Sequence, residues 1–405
     1  MAYSTLKKLH YSQGETTAAR LWEVRRASES ALHWDFPVGN DQLFCLLVPE
    51  VVRNVERIYQ EEKRTFALWA QLPGAARSHY VRSLLMDEVV ATNAIEGVHS
   101  TRKQIAHALR DAGKKTRFKE VAQLYLTLSE EEASLPHTVE DIRTAYDRVT
   151  AGEIADGDAL DGSLFRAGPV DIVNASQKVM HRGFTPESAI VHGLNTMLST
   201  LHSDGLIDTL ISHFMFESVH PFYDGNGRTG RYFLALALQR TLSTTTALSL
   251  SRTIQEEKTT YYKSFSEVEH PLNRGDGTPF LTSFLPLIIQ AQEATYLDLR
   301  QRQEALHALS KRISELSSGV HSASEQQLYK ALYLLGQAHL FGFDHTMLLR
   351  DVSTHMECTE ATARRHLGEL ESRGLIGTTS KRPLRFILST AGLKHLGIDN
   401  ALADA

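Results

Sequence analysis

Cysteine is scarce in this sequence: only Cys45 and Cys358 occur in 405 residues. They form no metal-ligand spacing and no disulfide framework, so the composition fits a reducing compartment such as the cytoplasm. Long apolar runs are missing too. YFLALALQ and FLPLIIQA fall well short of the roughly 20 residues of a membrane span and read as pieces of core helices. The N-terminal stretch MAYSTLKKLHYSQGETTAAR has no apolar segment of the kind a secretory signal needs. Charge of one sign is also lacking, because 43 Lys and Arg oppose 48 Asp and Glu. A chain built mainly to coat nucleic acid would be far more basic. No Walker A sequence (GxxxxGK[ST]) occurs, which argues against a P-loop ATPase. There are no internal repeats and no long low-complexity tract.

What remains is an ordinary globular composition, long enough for two or three domains. Residues 1–40 read as polar and irregular, with Trp34 and Phe36 as anchors. From about 41 to 97 the pattern is helical, broken at Pro73-Gly74. A helix over about 77–96 ends at Gly97, a suitable residue just past a helix end. Two more helices fit 102–150. Residues 151–185, including GDALDGSLFRAGPVDIVNAS, read as a loop or hairpin. Helices follow at about 186–203, 206–218, 228–242, 252–265 and 277–295. Residues 296–318 read as a charged connector helix with an apolar stripe of Leu306, Leu309, Ile313 and Leu316. Three helices and a strand-like pair around Thr378 and Phe386–Leu388 are expected within 322–397.

One run stands out: His220-Pro-Phe-Tyr-Asp-Gly-Asn-Gly-Arg-Thr-Gly-Arg231. Pro221 stops the preceding helix and leaves His220 at its edge. Asp224-Gly-Asn-Gly-Arg228 opens the next helix, whose free N–H groups and dipole favour an anion. Gly225, Asn226 and Gly227 thus make a candidate phosphate nest. Arg228 and Arg231, three apart, share a helix face and can neutralise phosphates. Asp224 supplies one hard oxygen ligand, suited to a magnesium ion completed by phosphate oxygens. His220 is the side chain able to take a proton near neutral pH. Taken singly, each piece has a structural explanation: a turn, a helix end, a solvated face. Together they place base, cation ligand, anion nest and cationic clamp within one turn of chain.

HPFYDGNGRTGR resembles the signature of the Fic family, His-x-Phe-x-(Asp/Glu)-Gly-Asn-Gly-Arg-x-x-Arg, at every defined position. The resemblance covers about residues 80–295 and implies a mostly helical core that transfers AMP from ATP to a protein hydroxyl. It implies that His220 deprotonates the target and that Phe222 anchors the loop. Asp224 would bind Mg2+ between the α- and β-phosphates, and Gly225, Asn226 and Gly227 would cradle the phosphates. Arg228 would hold the β-phosphate region and Arg231 the γ-phosphate. The intact glycines and arginines favour nucleotidyl transfer over the kinase branch of the family.

Thr92-Asn-Ala-Ile-Glu96-Gly97 resembles the family's inhibitory motif, (Ser/Thr)-x-x-x-Glu-(Gly/Asn). Glu96 falls near a helix C-terminus, where the macrodipole disfavours a carboxylate, so a cationic partner would suit it. The resemblance names Arg231 as that partner, which would take Arg231 from the γ-phosphate. Thr92, four residues earlier, shares the helix face and is expected to steady the carboxylate. Glu96 orienting water for removal of AMP is an open alternative. Phe165–Val173 resembles the family's flap, a hairpin that docks the target segment by strand addition; Val170, Asp171, Ile172 and Val173 would form it. Tyr261-Tyr262 resembles a tyrosine pair near the nucleotide base, with Tyr262 the contact residue. His213, seven before His220 and lacking the His-Glu-x-x-His spacing, is expected to pack rather than bind metal.

Cys358–Ile376 resembles the recognition helix of a winged helix-turn-helix. Ala363, Leu367 and Leu370 would be buried, Arg364, Arg365 and His366 would face a groove, and Lys381–Arg385 would form the wing. Residues 320–405 hold nine Lys/Arg against nine Asp/Glu. Phosphate neutralisation dominates DNA affinity, so this balance disfavours DNA as partner. The expected fold class is mainly α: a helical Fic core with a β-hairpin flap, plus a C-terminal winged helix. The expected domains are 1–110 with the inhibitory helix, 111–295 as catalytic core, 296–320 as linker helix and 321–405 as winged helix. The expected function is an autoinhibited, cytoplasmic adenylyltransferase using ATP and Mg2+ on a target protein and on itself, with a homodimer open and no membrane. The rival is a DNA-binding regulator using the core as a nucleotide sensor.

Overall fold

The computed structural model describes residues 3–110, 116–130, 133–173 and 179–400. The chain is mostly helical with three small antiparallel sheets among the described residues. In order, the first elements are α1 (Leu6–Gln13), α2 (Glu15–Arg26), β1 (Ala31–Val38), β2 (Asp41–Leu46), α3 (Pro49–Trp69) and α4 (Gly74–Ile95). Next come α5 (Arg102–Arg110), α6 (Lys119–Ser129), α7 (Val139–Val149), β3 (Asp171–Val173), β4 (Val179–Arg182), α8 (Glu187–Leu201) and α9 (Leu206–Val219). α10 (Asn226–Thr241), α11 (Thr244–Ala247), α12 (Leu250–Glu256), α13 (Lys258–Glu269) and α14 (Thr278–Ser317) follow. The last are α15 (Ala323–Phe341), β5 (Thr346–Leu348), α16 (Leu349–His355), α17 (Glu360–Ser372), β6 (Ile376–Lys381), β7 (Leu384–Leu388) and α18 (Thr390–Leu396). No described helix is long and apolar enough to cross a membrane.

The first 40 residues are not irregular. Thr5 caps α1 by accepting from the Lys8 N–H at 3.2 Å, and Gly14 separates α1 from α2. Helices this short and polar carry little periodic signal, which is why the sequence hides them. β1 then pairs with β2 from Ala31↔Leu46 to Val38↔Asp41, with an irregularity between His33 and Pro37. The helix expected from residue 41 therefore starts only at Pro49. LFCLLV is a continuous apolar run, and such a run suits a buried strand as well as a helix. Phe36 is buried and the Trp34 indole donates to Asp208 at 3.1 Å, so both act as anchors. Phe44 exchanges backbone hydrogen bonds with Gly275 and Gly277 at 3.0 and 2.7 Å, fixing the hairpin to the start of α14.

The described chain forms two compact units. One comprises the chain up to Glu62 and Asp87–Glu293; the other comprises Lys63–Met86 and the chain from Ala294 on. The first is built around α9 and α10, whose residues are buried almost throughout. Helices apolar on all sides belong at a centre. α8 packs antiparallel to α9 closely enough that a Cβ on Gly193 would meet the Val219 side chain at 2.8 Å.

The division between Glu293 and Ala294 lies beside the boundary expected at 295, and no division lies at 110 or 320. α3 and α4 each change unit along their length. The expected linker helix is the second half of one 40-residue helix, α14. No strong breaker lies between 295 and 317, and its apolar stripe is not left to solvent. Leu299, Leu306 and Leu309 are buried in the second unit's core with Ala76, Tyr80 and Leu335. That unit continues through α15 to α18 and a sheet of order β5-β7-β6. Ala363, Leu367 and Leu370 are buried in α17, as their spacing predicts. His366, expected to face outward, is buried as well. It lies three residues after Ala363 and four before Leu370, so helical geometry turns it to the same face.

Candidate active site

α9 ends at Val219, and His220 follows in the left-handed region at φ 50° and ψ 63°. Its N–H still donates to the Phe216 carbonyl at 3.1 Å, so the ring leaves the helix at a fixed place. His220 Nδ1 lies 3.3 Å from the Glu217 carbonyl oxygen. A carbonyl only accepts, so Nδ1 carries the hydrogen and Nε2 keeps the lone pair that could take a proton. Phe222 is buried and stacked on Tyr146, with ring centroids 3.6 Å apart.

Asn226 closes the loop. Its Oδ1 accepts from the Phe222 N–H at 2.9 Å and its Nδ2 donates to the Phe222 carbonyl at 2.8 Å. The Asn226 side chain is thereby committed to loop shape, and only its backbone is left to meet an anion. Gly225, at φ 81°, must be glycine twice over: the conformation is left-handed, and a Cβ would come within 2.5 Å of the Thr150 methyl. Asp224 is half exposed, at 52 %, and accepts from the Gly225 N–H at 2.6 Å.

Both arginines of the run are buried and both face a carboxylate. Arg228 pairs with Glu153, and its Nη2 lies 3.9 Å from Asp224. Glu153 also accepts from Arg117 Nε at 2.8 Å. Arg231 Nη1 lies 2.8 Å from Glu96 Oε1. The contact is an ion pair between a buried guanidinium and a partly exposed carboxylate. Arg231 Nε donates to the Thr92 hydroxyl at 2.8 Å, and Nη2 to the Thr92 carbonyl at 3.0 Å. Thr92 was expected to steady Glu96; its hydroxyl instead accepts from Arg231.

Glu96 sits just past α4, 27 % exposed. A Cβ on Gly227 would lie only 2.1 Å from its Oε1. The carboxylate therefore rests on the first turn of α10, where free N–H groups and the dipole favour an anion. The end of α4 is unfavourable for this charge, and the start of α10 compensates. The phosphate nest expected at Gly225–Gly227 thus faces a carboxylate of the chain itself.

α12 and α13 hold α4 at two further points. The Glu88 carboxylate accepts from the Ser251 N–H at 3.0 Å and from its hydroxyl. Burial pushes the Glu88 carboxyl up to about 7, with the Ser251 bonds opposing. Lys258 donates to the Ile95 carbonyl, and burial, followed by the Glu96 charge, raises the Tyr262 phenol. Tyr262 is 43 % exposed, whereas Tyr261 is buried with its hydroxyl 2.9 Å from His213 Nε2. Of the expected tyrosine pair, only Tyr262 can meet a ligand. Burial and the neighbouring Arg231 charge depress His213 to about 3, so it is a neutral core residue, as its sequence context suggested.

β3 and β4 form the expected hairpin with Asp171↔Arg182 and Ile172↔His181 in register. The Val170 carbonyl accepts from the Gly183 N–H at 3.1 Å. Part of the expected loop, residues 174–178, lies outside the described residues. Sequence reasoning missed what ties this segment to the motif. Arg166 is fully buried and donates to the carbonyls of His220, Gly168, Phe184 and Val219 at 2.8, 2.7, 2.8 and 3.3 Å. Arg166, Glu153, Glu88 and Lys258 carry no local signature. Each matters through a partner 54 or more positions away.

Comparison with known proteins bears on the same segment. Over 83 residues, 20% of this chain, the sequence is 37% identical to protein adenylyltransferase fic-1 of Caenorhabditis elegans, and that match spans 15% of the relative's length. A Fic family protein structure from Desulfovibrio desulfuricans G20 aligns with 85% of this chain and 97% of its own, at a TM-score of 0.49 and 21% identity. A structure of Fic-1 from C. elegans aligns with 74% of this chain and 81% of its own, at a TM-score of 0.44 and 21% identity. Residues 136–238, with the whole His220–Arg231 run inside them, match the Fic/DOC family.

Proposed function

We propose that this protein transfers AMP from ATP to a hydroxyl of a target protein, and that Glu96 restrains the reaction. The observation that carries this reading is the placement of the Glu96 carboxylate on both Arg231 and the first turn of α10. An acidic side chain there stands where a phosphate would stand. In the productive state Glu96 leaves, and Arg231 and the α10 N–H groups take the triphosphate. His220 Nε2 accepts the proton of the target hydroxyl. The oxygen attacks the α-phosphorus in line and pyrophosphate leaves. A positioned base contributes about 10²–10⁴-fold to such a step, and positioning with charge stabilisation contributes most of the rest.

Among the described residues no cluster of three His, Cys, Asp or Glu forms a metal cage. A lone half-exposed Asp224 beside the nest fits a magnesium ion completed by phosphate oxygens. When bound, that ion neutralises phosphate charge. Arg228 would have to exchange Glu153 for phosphate in order to hold the β-phosphate region. The β3–β4 hairpin would add a target strand by main-chain bonds, with Tyr262 beside the nucleotide base. The second unit supports a winged-helix reading through its three-stranded sheet and α17, and the even charge of residues 320–405 favours protein docking over DNA.

Glu96→Gly, incubated with labelled ATP and a lysate, is expected to incorporate AMP at least ten-fold faster than the native chain. Adding His220→Ala should abolish the label. No His220-dependent label would overturn the transferase reading and favour a nucleotide sensor. Salt-sensitive, sequence-selective retention of DNA by the full chain would support the regulator instead.

A further inference from the structure

We propose that Lys258 is a latch that holds the end of α4, and with it Glu96, over the anion nest. This rests on Glu96 being the restraint described above. Two contacts of Lys258 carry it. Lys258 donates from Nζ to the carbonyl of Ile95, the last residue of α4. Tyr262 stands one turn along the same helix. The Lys258 ammonium lies 5.7 Å from the Tyr262 ring centroid, so the two side chains also hold each other.

The position of Lys258 is the telling part. It is the first residue of α13 and is exposed. A cation at a helix N-terminus is disfavoured by that helix's own dipole. A cation at a helix C-terminus is favoured, because the last carbonyls lack partners. Lys258 serves the C-terminus of α4 at the expense of its own helix. The chain directly after α4 is otherwise held by the amides of Glu96 and Val98 on the Asn93 carbonyl, at 3.1 and 2.9 Å. The ion pair with Arg231 orients the Glu96 carboxylate, and Lys258 anchors the chain that carries it.

The test uses the full chain. Lys258→Ala is expected to raise AMP incorporation about five-fold, the loss expected for one exposed charge-assisted hydrogen bond. Lys258→Arg should restore the native rate. In a Glu96→Gly background Lys258→Ala should change neither kcat nor KM for ATP by more than about two-fold, because no carboxylate remains to be held. In parallel, amide hydrogen exchange of residues 96–98 should speed up several-fold in Lys258→Ala, with the rest of α4 unchanged. An equal rate gain in both backgrounds would overturn the latch and point to Lys258 acting on the reaction itself. Unchanged exchange at 96–98 would overturn it independently of activity. If Glu96→Gly incorporates no AMP, the transferase reading fails alone, and the exchange result still decides the latch.

Discussion

Arg231 makes two hydrogen bonds to Thr92 in α4 and an ion pair to Glu96 just past it. Its guanidinium is buried, so removing Glu96 leaves a cation with Thr92 as its partner. Glu96→Gly should therefore lower stability as it raises activity. Breaking a fully buried pair costs about 3–5 kcal/mol, and the partial exposure of Glu96 reduces this to roughly 1–2 kcal/mol. Urea unfolding of the variant should show it. Glu88 is the other telling residue. Its carboxyl is raised above the ordinary range by burial, so the folded state holds the proton more tightly than the unfolded state. That contribution is full below pH 4.5 and is lost as pH rises through about 7. A displacement of this size corresponds to roughly 3 kcal/mol. Glu88→Gln keeps the Ser251 contacts without a titrating charge. Its unfolding free energy should vary less between pH 5 and 8 than that of the native chain, and at pH 8 it should be the more stable. An unchanged pH slope would remove Glu88 from this account.

At the scale of elements, the site depends on close approaches and on one arginine. α9 and α10 cross where a Cβ on Gly230 would meet Glu217 Oε1 at 2.2 Å and a Phe216 ring carbon at 2.8 Å. Gly230→Val should push the two helices apart. We expect a loss of about 1–3 kcal/mol, as for overpacking elsewhere, and a fall in AMP transfer even with Glu96→Gly present. Arg166 does the corresponding work for the segment before the flap. Its four carbonyl bonds join residues 168 and 184 to the end of α9 and to His220. Arg166→Lys keeps the charge but loses the planar fork, so several carbonyls lose partners. Thermal unfolding should fall by several degrees, and kcat should fall more than KM for ATP changes, because His220 loses a fixed backbone.

For the whole molecule, two units share α3, α4 and α14 between them along the chain. The C-terminal unit is not continuous in sequence. Leu72, Ala75, Ala76 and Tyr80 belong to its core beside α14 and α15. A fragment of residues 294–405 alone should expose those apolar faces, bind a hydrophobic dye and melt without a sharp transition. Supplying 63–86 on a flexible tether should restore cooperative unfolding. A sharply melting 294–405 fragment would show that the missing segment is dispensable.

The sequence by itself determined the motif, its offsets and the helices that carry it. Those features are local: Pro221 stops α9, Gly225 permits the turn, and residues three and four apart share a face. The resemblance to the Fic motifs also paired Glu96 with Arg231, although they lie 135 positions apart (from 96 to 231). Other matters depended on tertiary structure because they rest on partners distant in sequence. Thr92 serves Arg231 rather than Glu96, and Arg228 faces Glu153. His366 lies inward, and the stripe of 296–318 belongs to a core. An ion pair or a buried face is defined by what lies across from it, and the chain's own periodicity does not record that. The start of α10 shows the division most clearly. Sequence marks it as a place for an anion, and only the folded chain decides that the anion there is Glu96.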